Sequence, residues 1–375
     1  MASSIRACAM NEAAAPAPWR EAAARFRRNR PAMAGLVALI AIALFCFLGP
    51  IFSQHDYDRV YPDYVKTPAS FTAHPSDEEA RQAIETIAAH MHVAVADVAI
   101  SGDTARISLT SARAIDERLL AYFERSGQFA RPDIVERSDE GRGMIFSAPI
   151  LRVRFLAGAD GNGRDLLVRL MIGGRVSLLV GALASFVALA IGVAWGASAG
   201  YLGGRVDMAM MRIVDILYAM PFIFFVILLI VFFGRHFVLI FVAIGAIEWL
   251  DMARIVRGQT LSLKRQEFVL AAEALGIGAG GILRRHVVPN LAGPVAAYLT
   301  LLAPRIILLE SFLSFLGLGV QEPMTSLGVL VSEGARGIED SPGQLFFPAL
   351  LLSLILFSLN FVGDGLREAL DPRER

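Results

Sequence analysis

The sequence predicts an all-α polytopic membrane protein of six transmembrane helices, with a small α+β domain inserted outside the membrane. Three observations predict it. Hydrophobic residues make up 55% of the chain and the mean hydropathy is positive, yet 35 basic residues balance 35 acidic ones, so the charges must be segregated along the sequence. Apolar runs long enough to cross a bilayer recur along the chain. Between the first two of them, residues 54–157 have the composition of a soluble domain. Charge balance also removes the argument for a nucleic-acid partner, because the basic clusters flank apolar runs. Cys8 and Cys46 offer neither a bridging pair nor zinc-ligand spacing, so no metal and no cofactor is expected.

Taken in order, residues 1–31 form a cytoplasmic N-terminal tail, rich in Ala and Pro. It ends in Arg20, Arg25, Arg27, Arg28 and Arg30, a cluster suited to the cytoplasmic surface of a lipid membrane. Residues 32–53 make the first transmembrane helix: about 20 apolar residues rising ~1.5 Å each span a ~30 Å hydrocarbon core. The run is too long for a cleaved signal peptide and lacks a small-residue cleavage site, so it is read as a permanent anchor.

Within the 54–157 insertion, Ser76 followed by Asp77, Glu78 and Glu79 is an N-cap and acidic first turn for a helix running to about His90. Segments 98–100 and 105–109 flank Ser101-Gly102-Asp103 as a hairpin, and 116–125 reads as a second helix. A second hairpin joins 133–137 to 144–155 through Asp139-Glu140-Gly141. Together these make a small extracytoplasmic α+β domain.

Residues 158–366 carry the remaining spans, expected at 176–200, 213–233, 237–250, 295–316 and 345–362, with a long cytoplasmic loop at 254–290; residues 367–375 form a cytoplasmic C-terminal tail. Six spans return both ends to one side. The N-terminal cluster, Arg205, Arg212, the basic residues of 254–285 and the C-terminal arginines all fall on that side, which is therefore the cytoplasm. Arg235, Arg336 and the run Arg164, Arg169, Arg175 fall outside or at the outer interface.

Ala188, Gly192, Gly196 and Gly200 recur every four residues and form a smooth stripe for close helix packing in lipid. Arg305 and Glu310 lie inside the fifth span, where a charge costs several kcal/mol unless it faces protein or water. Five residues apart, they point to different faces and should not pair with each other. Each either satisfies a neighbouring helix or lines a passage, and Ser314 shares the second possibility with them.

The 254–290 loop combines an Ala-rich helix (Ala271, Ala272, Ala274), a turn-forming Gly276, and a short basic segment with Arg284, Arg285 and His286, read as ending at Pro289. Such a bent, basic knob suits a socket on a soluble partner, although alanine and glycine alone describe an ordinary helical loop equally well. His286 is read as an interfacial contact rather than a proton carrier. Asp207, Asp215, Glu248 and Asp251 sit near helix ends, where paired or solvated roles are the default. No catalytic triad or carboxylate pair is placed for chemistry, and the chain is not expected to be an enzyme. A phosphate-cradling loop needs Lys directly after Gly, whereas the two lysines, Lys66 and Lys264, follow Val65 and Leu263.

The loop resembles the "EAA" coupling loop of bacterial ABC importer permeases, with Ala271, Ala272, Gly276 and Pro289 at the matching positions. The likeness extends over most of the chain apart from the insertion. It includes Gly158, Asp160, Gly163, Arg164, Asp165, Arg169, Gly174, Arg175 and Ser177 before and within the second span, then Arg212, Asp215, Pro221, Ala253, Arg254, Arg257 and Gln259. Further on come Glu310, Ser311, Ser314 to Gly319, Pro323 and Gly328, and last Asn360, Gly363 to Arg367, Leu370, Asp371 and Pro372. In combination these are specific, and the chain is similar to the C-type permease subunit of oligopeptide and dipeptide importers. It departs at Leu270, where glutamate is usual and the acid appears instead as Glu273, at Ala159 for a common threonine, and at Leu327 for a common tryptophan. The insertion is also longer than the family's usual connection.

The resemblance implies the type I ABC importer permease fold in the bacterial inner membrane. It implies a related B-type permease subunit beside this chain, two cytoplasmic ABC ATPase subunits, and an extracytoplasmic peptide-binding protein that delivers cargo. ATP hydrolysis would fall to the partner subunits, coupled through Ala271, Ala272, Glu273, Gly276, His286 and Pro289. Related permeases carry nickel, opines, glycopeptides or peptide antibiotics, so cargo stays open at this point. A secondary transporter is the rival outside the family, but neither inverted repeats nor paired broken helices are visible in the sequence.

Overall fold

A computed structural model describes residues 18–53, 55–138, 142–234 and 237–370. Cys8 and the rest of residues 1–17, the turn expected at 139–141, Arg235 and the tail 371–375 lie outside the described residues. The described chain divides into two compact units: one is built from residues up to 54, Val168–Arg336 and Leu345 onward, the other from His55–Leu167 and Gly337–Gln344.

The first unit opens with α1 (Pro18–Arg28) and α2 (Arg30–Phe52). Glu21 in the first turn of α1 and Arg25, Arg27 and Arg28 in its last complement the helix dipole. Asn29 caps α2, its Oδ1 accepting from the Ala32 N–H at 3.0 Å, and Pro31 stands in the first turn, where a missing N–H costs nothing. Pro50, inside α2, removes the donor that would serve the Cys46 carbonyl. Arg175 repairs this, donating from Nε to the Cys46 carbonyl at 3.4 Å and from Nη2 to the Phe47 carbonyl at 3.0 Å.

The second unit is α+β. Helix α3 (Asp77–His90) begins with a capping box: Ser76 Oγ accepts from the Glu79 N–H at 3.2 Å and Glu79 accepts from the Ser76 N–H at 2.7 Å. Strands β1 (Ala94–Ser101) and β2 (Thr104–Thr110) form the first hairpin. The segment 116–125, expected as one helix, starts as a 3-10 turn over Glu117–Leu120 and is α-helical only in α4 (Ala121–Arg125). Strands β3 (Asp133–Arg137) and β4 (Gly143–Pro149) complete an antiparallel sheet ordered β1-β2-β4-β3. Period-two alternation sends Ala105, Ile107 and Leu109 of β2 and Met144, Phe146 and Ala148 of β4 to one face, where they meet Ile84, Phe123 and Phe129 in a closed core. Each fully buried Ile or Phe there contributes roughly 1.5–3 kcal/mol.

The first unit resumes at Val168, two residues into α5 (Leu166–Leu202), and continues with α6 (Gly204–Tyr218), α7 (Phe222–Phe233) and α8 (Phe237–Leu263). Then follow α9 (Glu267–Ala274), α10 (Ala279–Ile282), a π-helical turn at Leu283–Val287, α11 (Val288–Phe315), α12 (Leu327–Arg336) and α13 (Gly343–Leu370). Among the described residues, four helical stretches are long and apolar enough to cross a membrane: Arg30–Phe52, Leu166–Leu202, Ala279–Phe315 and Gly343–Leu370. The span expected at 213–233 is not one straight helix. It breaks between α6 and α7 with a bend of 85°, because Pro221 lacks an N–H and disfavours helical geometry at the residue before it; counted as one crossing, this pair raises the total to five. The expected span 237–250 falls within α8, which carries Glu248, Asp251, Arg254 and Arg257 from its middle onward.

Candidate functional site

Helix α9 stands between α8 and α10 as a short elbow, and its two faces have opposite characters. Val269 and Ala272 point inward, fully or almost fully buried with Ile282 and Val287 in the main helical core. Phe268, Leu270 and Leu275 point outward, and Leu275 is 81% exposed. Ala271, Gly276 and the carboxylates Glu267 and Glu273 share this outer surface, so the knob presents apolar side chains beside acidic ones.

The end of α9 is a Schellman turn. The Gly276 N–H donates to the Glu273 carbonyl at 2.9 Å and the Ile277 N–H to the Ala272 carbonyl at 3.1 Å. This geometry puts Gly276 at φ +78°, which a residue with a Cβ adopts only under strain. The knob is tied to the end of α5 through Tyr201, whose hydroxyl donates to Glu273 Oε1 at 2.9 Å. Lys264 closes the same corner, donating to the Tyr201 carbonyl at 2.6 Å. The one acid of α9's last turn is thus turned toward its own chain, and at the position where glutamate is usual Leu270 is half exposed.

Pro289 does not end the second short helix, as the sequence reading had it. Helix runs unbroken from Ala279 to Phe315, with Pro289 in the first turn of α11. The wide π turn over Leu283–Val287 is the physical reason: it loosens the ladder where the proline ring would otherwise meet the carbonyl four residues earlier. Asn290 Nδ2 donates to the His286 carbonyl at 2.6 Å and satisfies part of the disturbed ladder. His286 itself is half-buried, while Arg284 and Arg285 are exposed.

Ion pairs brace the helices that lead into this loop. Arg257 grips Asp207 with two hydrogen bonds, 2.5 Å from Nε and 2.7 Å from Nη2. Arg254 donates to Asp215 at 2.9 Å and its guanidinium lies 4.2 Å from the centre of the Tyr218 ring. The glycine stripe of α5 meets α8: a Cβ at Gly200 would lie 2.8 Å from Thr260 Cβ, and one at Gly196 would lie 2.9 Å from Val256 Cβ. Gly192 meets Met252 on the same helix.

The two charges of the fifth span part company. Arg305 is largely exposed and reaches α8, with Nη1 2.9 Å from Asp251 Oδ2 and Nε 3.5 Å from Glu248 Oε1. Glu310 is fully buried. Ser314 Oγ donates to it at 2.7 Å and Ser177 Oγ at 3.1 Å, and Ser177 in turn accepts from the Leu327 N–H at 3.2 Å. This network joins α5, α11 and the start of α12. Sequence reasoning named Glu310, Ser314 and Arg305 but not Tyr201 or Lys264 as partners of the elbow; no local pattern links residues 63 positions apart.

The structure brings Ala271, Ala272, Glu273 and Gly276 together on one elbow and sets His286 and Pro289 on the helix that follows it. The chain matches the family model described as binding-protein-dependent transport system inner membrane component over residues 192–375. Over residues 17–70 it matches the N-terminal TM domain of oligopeptide transport permease C. It is 43% identical over 357 residues to the oligopeptide transport system permease protein OppC of Escherichia coli K12, covering 95% of this chain and 92% of that protein. It is 56% identical over 232 residues to OppC of Haemophilus influenzae, covering 62% and 75% respectively. It is 45% identical over 219 residues to the dipeptide transport system permease protein DppC of Bacillus subtilis, covering 58% and 68%. Apolar membrane-length helices, an elbow with a Gly276 turn and this extent of identity together show that the chain belongs to the oligopeptide transport permease C family of inner-membrane transport components.

Proposed function

We propose that this chain is one transmembrane half of an ATP-driven importer whose cargo is an oligopeptide or dipeptide. Peptide cargo follows the names of the relatives, OppC and DppC. In this reading the chain has the six-span type I permease fold with both termini in the cytoplasm, the 54–157 insertion outside, and lipid around the spans. A related B-type permease supplies the other half of the passage, two ABC ATPases sit beneath, and an extracytoplasmic peptide-binding protein delivers the cargo.

The observation that carries the reading is the elbow at 266–290. Its outer surface exposes Phe268, Leu270 and Leu275 together with the basic pair Arg284 and Arg285, Val269 and Ala272 seat its inner face in the helical core, and Glu273 ties it to α5 through Tyr201. A surface of that kind is costly in water and stable in a socket. Nucleotide-driven closure of the ATPases pushes the elbow, and the push passes through α11 and α5 to the passage. Arg305, largely exposed and held by Glu248 and Asp251, is the pathway-facing charge, while Glu310 and Ser314 hold the wall behind it.

The test is uptake by the reconstituted assembly with Gly276→Val and Leu275→Asp placed separately in this chain. Valine strains the φ +78° turn and aspartate breaks the apolar contact. Each should lower ATP-driven uptake by at least about tenfold, with ATPase subunits dissociating from the aspartate variant. Undiminished uptake with no ATPase subunit retained would falsify the coupling role.

A further inference from the structure

A basic pocket at the junction of α1, α2 and α13 has no part in the coupling scheme. It is a cavity of about 660 Å³ lined by Arg25, Arg28, Asn29, Arg30, Gly365 and Glu368. Three arginines and one glutamate line it; Arg25 is paired with Glu21 at 3.8 Å, and with Arg28 and Arg30 the lining keeps a net positive charge.

The packing explains why the pocket exists. Helices α2 and α13 approach closely where Gly35 meets Phe361, a Cβ there lying 2.8 Å from the Phe361 Cβ, and where Gly365 meets Ala32. Asn29 joins the two chain ends: its oxygen caps α2 and its Nδ2 donates to Glu368 Oε2 at 2.6 Å. Glu368 is thereby drawn to Asn29, while Arg28 and Arg30 remain exposed at the rim. Arg30 is also the first residue of a helix whose apolar length matches a membrane crossing. That places the pocket at headgroup depth, where guanidinium forks meet phosphate oxygens.

We propose that this pocket binds the phosphate group of an anionic membrane lipid and so anchors α1 to the ends of α2 and α13. The inference rests on α2 and α13 crossing the membrane, not on cargo or ATPase coupling. The cavity holds far more than a bare phosphate ion, since water occupies about 30 Å³ per molecule, and its place beside two spans favours a lipid as the source.

The permease pair, purified and placed in nanodiscs of phosphatidylcholine with phosphatidylglycerol, is released gently and weighed by native mass spectrometry to count retained lipids. Phosphatidylglycerol should be retained over phosphatidylcholine, and each of Arg25→Gln, Arg28→Gln and Arg30→Gln should weaken its retention about fivefold. Glu368→Gln should strengthen it, because the amide oxygen still accepts from Asn29 while the opposing charge is gone. This variant also guards against a loss caused by misfolding, since misfolding cannot raise affinity. Retention unchanged in the triple arginine variant overturns the proposal. So does inorganic phosphate binding to the pair in phosphatidylcholine discs as tightly as phosphatidylglycerol does, which would make the ligand a free anion.

Discussion

The surface of the α+β unit and the interior of the helical unit use the same charged residue types under opposite physical conditions. On the surface of the α+β unit, ion pairs lie in water: Arg152 bridges Asp77 and Asp103, which are 67% and 80% exposed, and Lys66 meets Asp340 at 2.6 Å in the open. In the helical unit Glu310 has no exposed surface, and Arg169, 1% exposed, pairs with Glu333 at 2.6 Å. Water screens the first group and repays much of what a broken pair loses. The helical interior does neither, so a buried carboxylate must have its hydrogen bonds or disrupt the packing. The charge census of the chain is balanced, but its energetic weight is concentrated in a few buried groups.

The largest expected effect tests the buried side of that contrast. Glu310→Leu should destabilise the helical unit by about 2–4 kcal/mol, because Ser177 and Ser314 lose their shared acceptor in a dry site. Glu310→Gln keeps an acceptor and should lose clearly less. Thermal unfolding in detergent measures both, and a leucine variant as stable as the parent would remove the contrast. Next comes packing without charge. Gly196→Leu must push against Val256 of α8 and should cost about 1–3 kcal/mol, read as a lower unfolding midpoint. An unchanged midpoint would mean that α5 and α8 are not seated against each other through this stripe.

The smallest effect belongs to the exposed side. Glu79→Ala breaks the capping box of α3 and should cost less than about 1 kcal/mol. Partial burial raises the Glu79 pKa, but the Ser76 N–H and the His74 ring lower it more, leaving it below the usual carboxylate range. A depressed folded value means the stabilisation is present above the unfolded pKa and fades as pH falls through the folded one. Parent and variant should therefore differ near neutral pH and converge in acid. A gap that persists in acid would show that the ionised form is not what the cap holds.

Local chemistry was readable where it acts locally. Ser76 and Glu79, three residues apart, specify the start of α3 without outside help, and the hairpin through Ser101-Gly102-Asp103 follows from turn residues between alternating apolar ones. Gly276 was readable as a turn because its position past an Ala-rich helix demands positive φ. Two prolines behave differently from what the local pattern predicts. Local pattern makes Pro289 a stop, yet a π turn carries the helix past it; it makes the span through Pro221 continuous, yet that span bends by 85°. Whether a proline stops or merely disturbs a helix depends on which groups donate to the carbonyls it disturbs: Asn290 does so beside Pro289, whereas the donor for Pro50 is Arg175, far along the chain.

By itself, then, the amino-acid order determined which segments are apolar enough for lipid, where a soluble unit interrupts them, and where short-range caps and turns begin and end helices, because each of these is set within a few residues. Tertiary structure alone decided that Arg175 would serve the carbonyl released by Pro50, that Tyr201 would hold Glu273, and that Glu310 would close into a serine network while Arg305 reaches Glu248 and Asp251. The physical reason is range. A buried polar group must be satisfied by whatever the fold brings within about 3 Å, and in these cases that partner comes from another helix.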